Sequence, residues 1–122
     1  MQVSREWSQT VPTKDVEKML SYWADDAVLI QPFQPPITGK DSIRAMIEEA
    51  FKNPAFSISW EPLEAHVSDD GSMGYLLERN KIILDDSTTL YHRAVTVWRK
   101  STNGEWKNVA DISTPMQLET SE

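Results

Sequence analysis

The sequence contains no cysteine, and that absence removes several kinds of chemistry at once. A disulfide scaffold, a thiolate metal site and a cysteine nucleophile are all excluded, and the redox compartment is left open. Histidine is nearly as scarce. His66 and His92 are the only two; they lie far apart, so no metal-ligand spacing exists and no resident metal is expected. There is no glycine-rich phosphate loop, no Ser-His-Asp signature and no dinucleotide fingerprint, so no cofactor is expected either. No apolar run approaches the roughly 18 residues that span a bilayer, and Met1 to Glu6 lack the basic-then-apolar pattern of a secretory signal. We therefore expect a soluble, cytoplasmic protein with no membrane partner. An excess of basic charge is missing too. Nineteen acidic against 12 basic residues give a net charge of −7, which repels phosphate backbones, and the Lys and Arg residues are scattered. No nucleic-acid partner is expected.

What the chain does have is enough length for one domain and too little for two. We read a single domain over residues 1–122, with an ordered core over about residues 13–113. Helical periodicity is confined to the first half. A stub around Val3 to Gln9 is broken by Thr10-Val11-Pro12. Thr13 then stands where an N-cap belongs, ahead of Val16, Met19, Leu20 and Trp23, the i, i+3, i+4, i+7 stripe of a helix on a core. Ala27 to Gln31 reads as a short buried strand, and Pro32, Pro35, Pro36 and Gly39 mark a loop. A second helix carries Ile43, Met46, Ile47, Ala50 and Phe51 on one face, with Asp41 near its positive end, and ends at Asn53-Pro54.

Beyond that point the period becomes alternating. Phe56, Ile58 and Trp60 share one face; Leu63, Ala65 and Val67 continue with the phase shifted by one, which implies a bulge at Glu61-Pro62 and a bent strand. Asp69 to Ser72 turns into a strand Met73–Leu84, Asp85 to Ser87 into Thr89–Lys100, and Ser101 to Gly104 into Glu105–Ser113. Pro115 to Glu122 is polar and expected to be loose. Helices first and a long meander afterwards give an α+β domain, a curved and mostly antiparallel sheet covered by two or three helices.

The order of five motifs is specific although each alone is weak. Asp15 to Trp23 runs into Ala24-Asp25-Asp26-Ala27-Val28-Leu29. Pro36-Ile37-Thr38-Gly39-Lys40-Asp41-Ser42-Ile43-Arg44 follows, then Asp70-Gly71-Ser72-Met73-Gly74-Tyr75. Val97-Trp98-Arg99-Lys100 leads through Gly104-Glu105-Trp106-Lys107 to Ala110-Asp111-Ile112-Ser113. From Asp15 to Ser113 this resembles the SnoaL-like branch of the nuclear transport factor 2-like superfamily, especially its large group of bacterial domains. The resemblance implies a cone, or cystatin-like roll, with an internal pocket and a homodimer formed through the outer face of the sheet. The segment before Thr13 is shorter than the family's usual first helix, which implies either a more open cone or an abbreviated N-terminus.

Fold does not fix function in this superfamily, so each chemistry has to be tested on the residues. Ketosteroid isomerases resemble the chain through the Ala-Asp-Asp-Ala strand, but their base position falls on Gln31, their tyrosine donor on Trp7 and their protonated acid near Ala94. Those roles are lost. Limonene epoxide hydrolases need an Arg-x-Asp, where this chain reads Tyr91-His92-Arg93-Ala94-Val95. SnoaL-type cyclases are closer, because the resemblance supplies an acid/base carboxyl at Asp111 with His92 and Gln31 near it. Strand alternation permits these three to converge, since His92 shares a face with Ala94, Thr96 and Trp98, Asp111 with Val109 and Ser113, and Gln31 with Leu29 and Ala27. Asp111 and His92 are the candidate catalytic residues; Trp7, Gln31, Trp60 and Tyr75 are the candidate substrate contacts. The plainer alternatives are a structural aspartate satisfying backbone donors or an arginine, and an ordinary strand histidine. His66 is read as surface, and Trp23, Trp98 and Trp106 as packing. The expected function is binding of a small hydrophobic molecule, with isomerase, cyclase or dehydratase chemistry by acid and base. The alternative is a dimeric binding or association module without chemistry.

Overall fold

The computed structural model describes residues 2–32 and 34–115, with the side chain of Gln2 excepted. Helix α1 (Gln2–Thr10) runs through a 3-10 turn at Val11–Thr13 into a short helix α2 (Val16–Leu20). Strands β1 (Trp23–Ile30) and β2 (Ile37–Thr38) come next, then helix α3 (Lys40–Phe51). The meander β3 (Ser57–Val67), β4 (Met73–Asp85), β5 (Thr88–Lys100) and β6 (Trp106–Pro115) completes the order. The polar tail beyond Pro115 lies outside the described residues. The six strands form one sheet in the order β2-β1-β6-β5-β4-β3. Every neighbouring pair is antiparallel except β1 with β6, which is parallel. The result is a curved, mixed sheet with the helices packed on one face. No helix among the described residues is long and apolar enough to cross a membrane.

The first helical stripe is shorter than its periodicity suggests. Asp15, not Thr13, caps α2, accepting from the Lys18 amide at 3.1 Å. The Thr13 hydroxyl is already bonded back to the Thr10 carbonyl. The helix stops at Leu20, and Trp23 opens β1 instead of extending the stripe. Strand pairing is the reason: the Asn108 amide of β6 donates to the Tyr22 carbonyl at 2.8 Å, and Trp23 pairs with Asn108. Trp23 is nonetheless buried in the same core, so the apolar spacing reports its burial correctly and its period wrongly. Helix α3 follows its pattern, with Ile43 and Ile47 buried. Gly39 begins it at φ 88°, a conformation that favours glycine. The Arg44 guanidinium clasps both Glu17 oxygens at 2.9 and 3.0 Å and ties α3 to α2.

The long strands are bent where the apolar phase slips. In β3 the register jumps between Pro62 and Glu64, leaving Leu63 unpaired. In β6, Ala110 pairs with Val97 but Asn108 pairs with Trp98, so Val109 is the extra residue of a bulge. The core sits between helices and sheet. Leu20 and Ile43 are 1% and 0% exposed, each stabilising the fold by about 1.5–3 kcal/mol through burial. Trp7 packs edge-on against Trp23, Trp60 and Trp98 with ring centroids 5.1, 4.7 and 5.6 Å away, a geometry that aromatic quadrupoles favour. Through Trp7 the nine-residue α1 covers the deep end of the concave face.

Candidate functional site

A cavity of about 140 Å³ remains between the concave face of the sheet, α1 and α3. Its apolar wall comes from helix and strand residues of matching phase, chiefly Met46, Ile47 and Phe51 of α3, Phe56, Ile58 and Trp60 around β3, and Trp7 at the deep end. Six polar side chains interrupt that wall: Gln31, Glu78, Asn80, His92, Asp111 and Ser113. Five sit at inward positions of their strands, and Gln31 follows the end of β1. On β4 the inward set is Leu76, Glu78, Asn80 and Ile82; on β5 it is His92, Ala94, Thr96 and Trp98.

Asp111 owes its aim to the β6 bulge. From Asn108, which faces inward beside Trp98, plain alternation would turn residue 111 outward. The extra residue at Val109 resets the phase, so that Asp111 pairs with inward Thr96. Asn108 holds the bulge by accepting the Ala110 amide on Oδ1 at 3.1 Å. Asp111 itself makes no hydrogen bond to the described residues, and its carboxyl looks into the cavity. Burial pushes its pKa from 3.8 up to about 7, with the negative charge of Glu78 adding in the same direction. Residue exposure leaves Asp111 only partly buried.

His92 is half-buried on the cavity wall, and burial lowers its pKa, so the ring is neutral at neutral pH. Gln31 follows β1 on the face of Leu29 and Ala27. Trp60 is fixed from α1: its indole N–H donates to the Ser4 carbonyl and hydroxyl oxygens, both at 3.1 Å. Thus Asp111, His92, Gln31, Trp7 and Trp60 meet around one space, joined by Trp23.

Tyr75 does not join them. It is one residue out of phase with Leu76 and Glu78, so it lies on the opposite face of the sheet. There it is 43% exposed and stacks on His66 with ring centroids 4.8 Å apart. His66 is on the surface, paired with Glu64 at 3.1 Å. Trp98 is buried and Trp106 lies partly covered by Lys100, 5.9 Å from its ring.

Sequence reasoning missed Glu78 and Asn80. Glu78 is 3% exposed and receives the Ser4 hydroxyl. Burial raises its pKa, while hydrogen bonds from Ser4 and Thr96 pull it down. Leu76 and Ile82 share its phase, but Leu77 and Ile83 occupy the other, so the parity of β4 carries no clear signal for it. Among the described residues no cluster of His, Asp and Glu could hold a metal ion. Chemically the site offers two carboxyls, a neutral imidazole and two amides inside an aromatic wall: hydrogen bonding to an oxygen and movement of a proton.

No functionally curated protein matches the sequence significantly. Solved structures do share its shape. A ketosteroid isomerase-like protein from Erwinia carotovora atroseptica aligns with TM-score 0.74 at 17% identity, covering 91% of this chain and 88% of that one. A cystatin-like-fold domain of unknown function from Nostoc punctiforme gives 0.79 at 15% identity, covering 95% and 76%. An NTF2-like protein of unknown function from Pseudomonas putida gives 0.74 at 22% identity, covering 98% and 86%. Identities this low speak for the fold alone. The SnoaL-like domain model matches residues 1–117, nearly the whole sequence, and the chain belongs to the SnoaL-like domain family.

Proposed function

We propose that this is a cofactor-free protein that binds a small hydrophobic molecule in the concave cavity and moves a proton within it through Asp111. One observation carries the reading: a carboxyl without a hydrogen-bond partner among the described residues faces an aromatic cavity and holds its proton to about pH 7. A group poised near the working pH is present in both forms, which suits it to giving and taking protons. As carboxylate, Asp111 removes a proton from the carbon beside a carbonyl. The C–H electron pair moves toward the carbonyl oxygen, where neutral His92 and Gln31 supply hydrogen bonds. Returning that proton to another carbon is an isomerisation; delivering it to a departing hydroxyl, which leaves as water, is a dehydration. Neither needs an oxidant or reductant.

The cavity's volume restricts the ligand. About 140 Å³ suits roughly one benzene-sized ring, well below the roughly 300 Å³ at which drug-sized ligand pockets begin. A four-ring steroid would have to protrude or widen the wall.

A second feature supports a homodimer as the working unit. Met73, Tyr75 and Ile112 are 40%, 43% and 38% exposed on the outer face of the sheet, where Val95 and Val97 extend the apolar surface. Covering it with a second copy would remove a sizeable patch from water. If the protein is instead an association module, that face is its functional part and Asp111 has no chemical role.

The test is a thermal-shift screen of single-ring carbonyl compounds and lactones, followed by turnover assays of each hit with the wild type and Asp111→Asn. A ligand at about 100 times its dissociation constant adds about 2.7 kcal/mol, or roughly 10 °C for a domain of this size. Loss of turnover in Asp111→Asn with binding retained is the expected result. Full turnover in that variant refutes the proton-transfer role.

A further inference from the structure

Glu78 is the second carboxyl of the cavity, and its surroundings differ from those of Asp111 in one decisive respect. Two hydroxyls point their protons at it. The Ser4 hydroxyl of α1 donates to Glu78, and Thr96 of β5 supplies the other hydrogen bond. Each of these hydroxyls is in turn the acceptor for an indole. Trp60 Nε1–H donates to Ser4 Oγ at 3.1 Å, and Trp98 Nε1–H donates to Thr96 Oγ1 at 2.9 Å. An indole nitrogen can only donate. Both hydroxyls therefore accept from the tryptophans and have their own protons free for the carboxyl. From both ends of the chain Trp60–Ser4–Glu78–Thr96–Trp98 a hydroxyl proton is thus available to the carboxyl, opposing the upward push of burial on its pKa.

A carboxyl that receives two such donors is satisfied as an anion, because a carboxylate is an acceptor only. Asp111 has no comparable donors. The two groups share one face, with Glu78 opposite Ala94 and Asp111 opposite Thr96 on the strand between them. With strands about 4.8 Å apart their backbones are about 10 Å apart across the sheet, and both side chains reach into the same small space.

We infer that Glu78 is a positioning residue for this site: the Ser4 and Thr96 hydroxyls hold it as the anion of a carboxyl pair, and its charge keeps the shared proton on Asp111. Two like charges in a small, poorly solvated cavity do not both ionise readily, so the pair titrates as a unit. The first proton goes to the member without donors. Glu78's negative charge is already the second cause, after burial, of the raised Asp111 pKa. The other charged groups nearby do not take over this role. His92 is neutral; Arg5 and Glu6 of α1, Arg79 and Lys81 of β4, and Arg93 of β5 lie on exposed faces.

The consequence for the ligand rests on the proton-transfer reading above. The cavity presents one acid, Asp111, and one fixed negative charge, Glu78. It therefore takes a neutral compound with an oxygen acceptor and turns away carboxylic acid anions of the same shape.

The experiment follows side-chain carboxyl resonances by carbon-13 NMR through a pH titration without any ligand. In Glu78→Gln the Asp111 midpoint should fall by roughly 1 pH unit or more; in Glu78→Asp it should stay near the wild-type value. Thr96→Val, which removes one donor and keeps the fold's volume, covers the case in which Glu78→Gln does not fold. There the Glu78 midpoint should rise and the Asp111 midpoint fall. An unchanged Asp111 midpoint in folded Glu78→Gln, or in Thr96→Val, overturns the inference. Because no substrate is involved, the readout stands apart from catalysis: Asp111→Asn retaining turnover would sink the proposed function and leave this coupling intact.

Discussion

Replacing Asp111 by Asn should stabilise the protein by an amount that grows above about pH 4 and levels off above about pH 7. The carboxyl's pKa rises from 3.8 unfolded to about 7 folded. Between those values the folded state binds more protons than the unfolded state, so stability falls as pH rises through that window. Below about pH 4 the group is neutral in both states and imposes no penalty. Above about pH 7 the folded protein holds a poorly solvated carboxylate. A tenfold change in proton affinity corresponds to about 1.36 kcal/mol, so a rise of roughly three pH units sets a ceiling of about 4 kcal/mol on the penalty. Asparagine has nearly the same shape and no charge, so the variant escapes it. With an unfolding entropy of about 2.1 cal/mol/K per residue, 1 kcal/mol corresponds to about 4 °C in a domain of this size. Differential scanning calorimetry of the wild type and Asp111→Asn at pH 4, 6 and 8 should therefore show midpoints within about 2 °C of each other at pH 4. A gap should open with pH and reach as much as about 15 °C at pH 8. A gap that does not depend on pH refutes the reasoning. So does a variant less stable than the wild type at pH 8, which would mean that the carboxylate is satisfied by partners and structural.

Other perturbations follow from the same structure. In Gly74→Ala the new Cβ would lie 2.8 Å from the His66 carbonyl oxygen, on the backbone of the paired strand β3. Denaturant unfolding should show a loss of about 1–3 kcal/mol, and an unchanged midpoint would mean that the hairpin end yields freely. Ile43→Ala removes a side chain that is 0% exposed and should cost about 2–5 kcal/mol in the same measurement; a loss below about 1 kcal/mol would indicate a loose helix–sheet interface. Tyr75→Lys puts a charge on the outer apolar face without touching the cavity. If the proposed homodimer forms through this face, sedimentation should show a dimer for the wild type and a monomer for the variant, with circular dichroism unchanged, whereas a variant dimer would place the interface elsewhere.

Much of the fold is legible in the sequence because the two halves of the chain use different periods. Ile43, Met46, Ile47, Ala50 and Phe51 can only form one helical face, and the alternation from Phe56 onward can only serve a strand. Five weak motifs in order then select one family. Trp23 misleads because its spacing from Val16, Met19 and Leu20 suits a helix, while the parallel pairing with Asn108 that extends it comes from the far end of the sequence. For His92 and Gln31, strand parity says which residues share their face, and the resemblance to SnoaL-type cyclases supplies the expectation that this face points inward. Tyr75 and Glu78 defeat the same approach together. In Met73-Gly74-Tyr75-Leu76-Leu77-Glu78-Arg79 both phases carry apolar residues, so neither face is marked as the inner one. A glutamate beside an arginine reads as solvated charge. What buries it is Ser4, 74 residues upstream, and no local pattern reports that contact. The β6 bulge is equally hidden. The inward aim of Asp111 can be anticipated, but the device that produces it, the extra residue at Val109, shows only in the pairing with β5.

The most direct measurement is the titration of the Asp111 carboxyl in the wild-type protein, assigned by its loss in Asp111→Asn and followed by carbon-13 NMR from acid to mildly alkaline pH. A midpoint near 7, with the Glu78 resonance responding to the same event, is the expected result. A midpoint near 3.8 would mean an ordinary, solvated or paired aspartate, and both the proton-transfer function and the shared-proton cavity would be wrong.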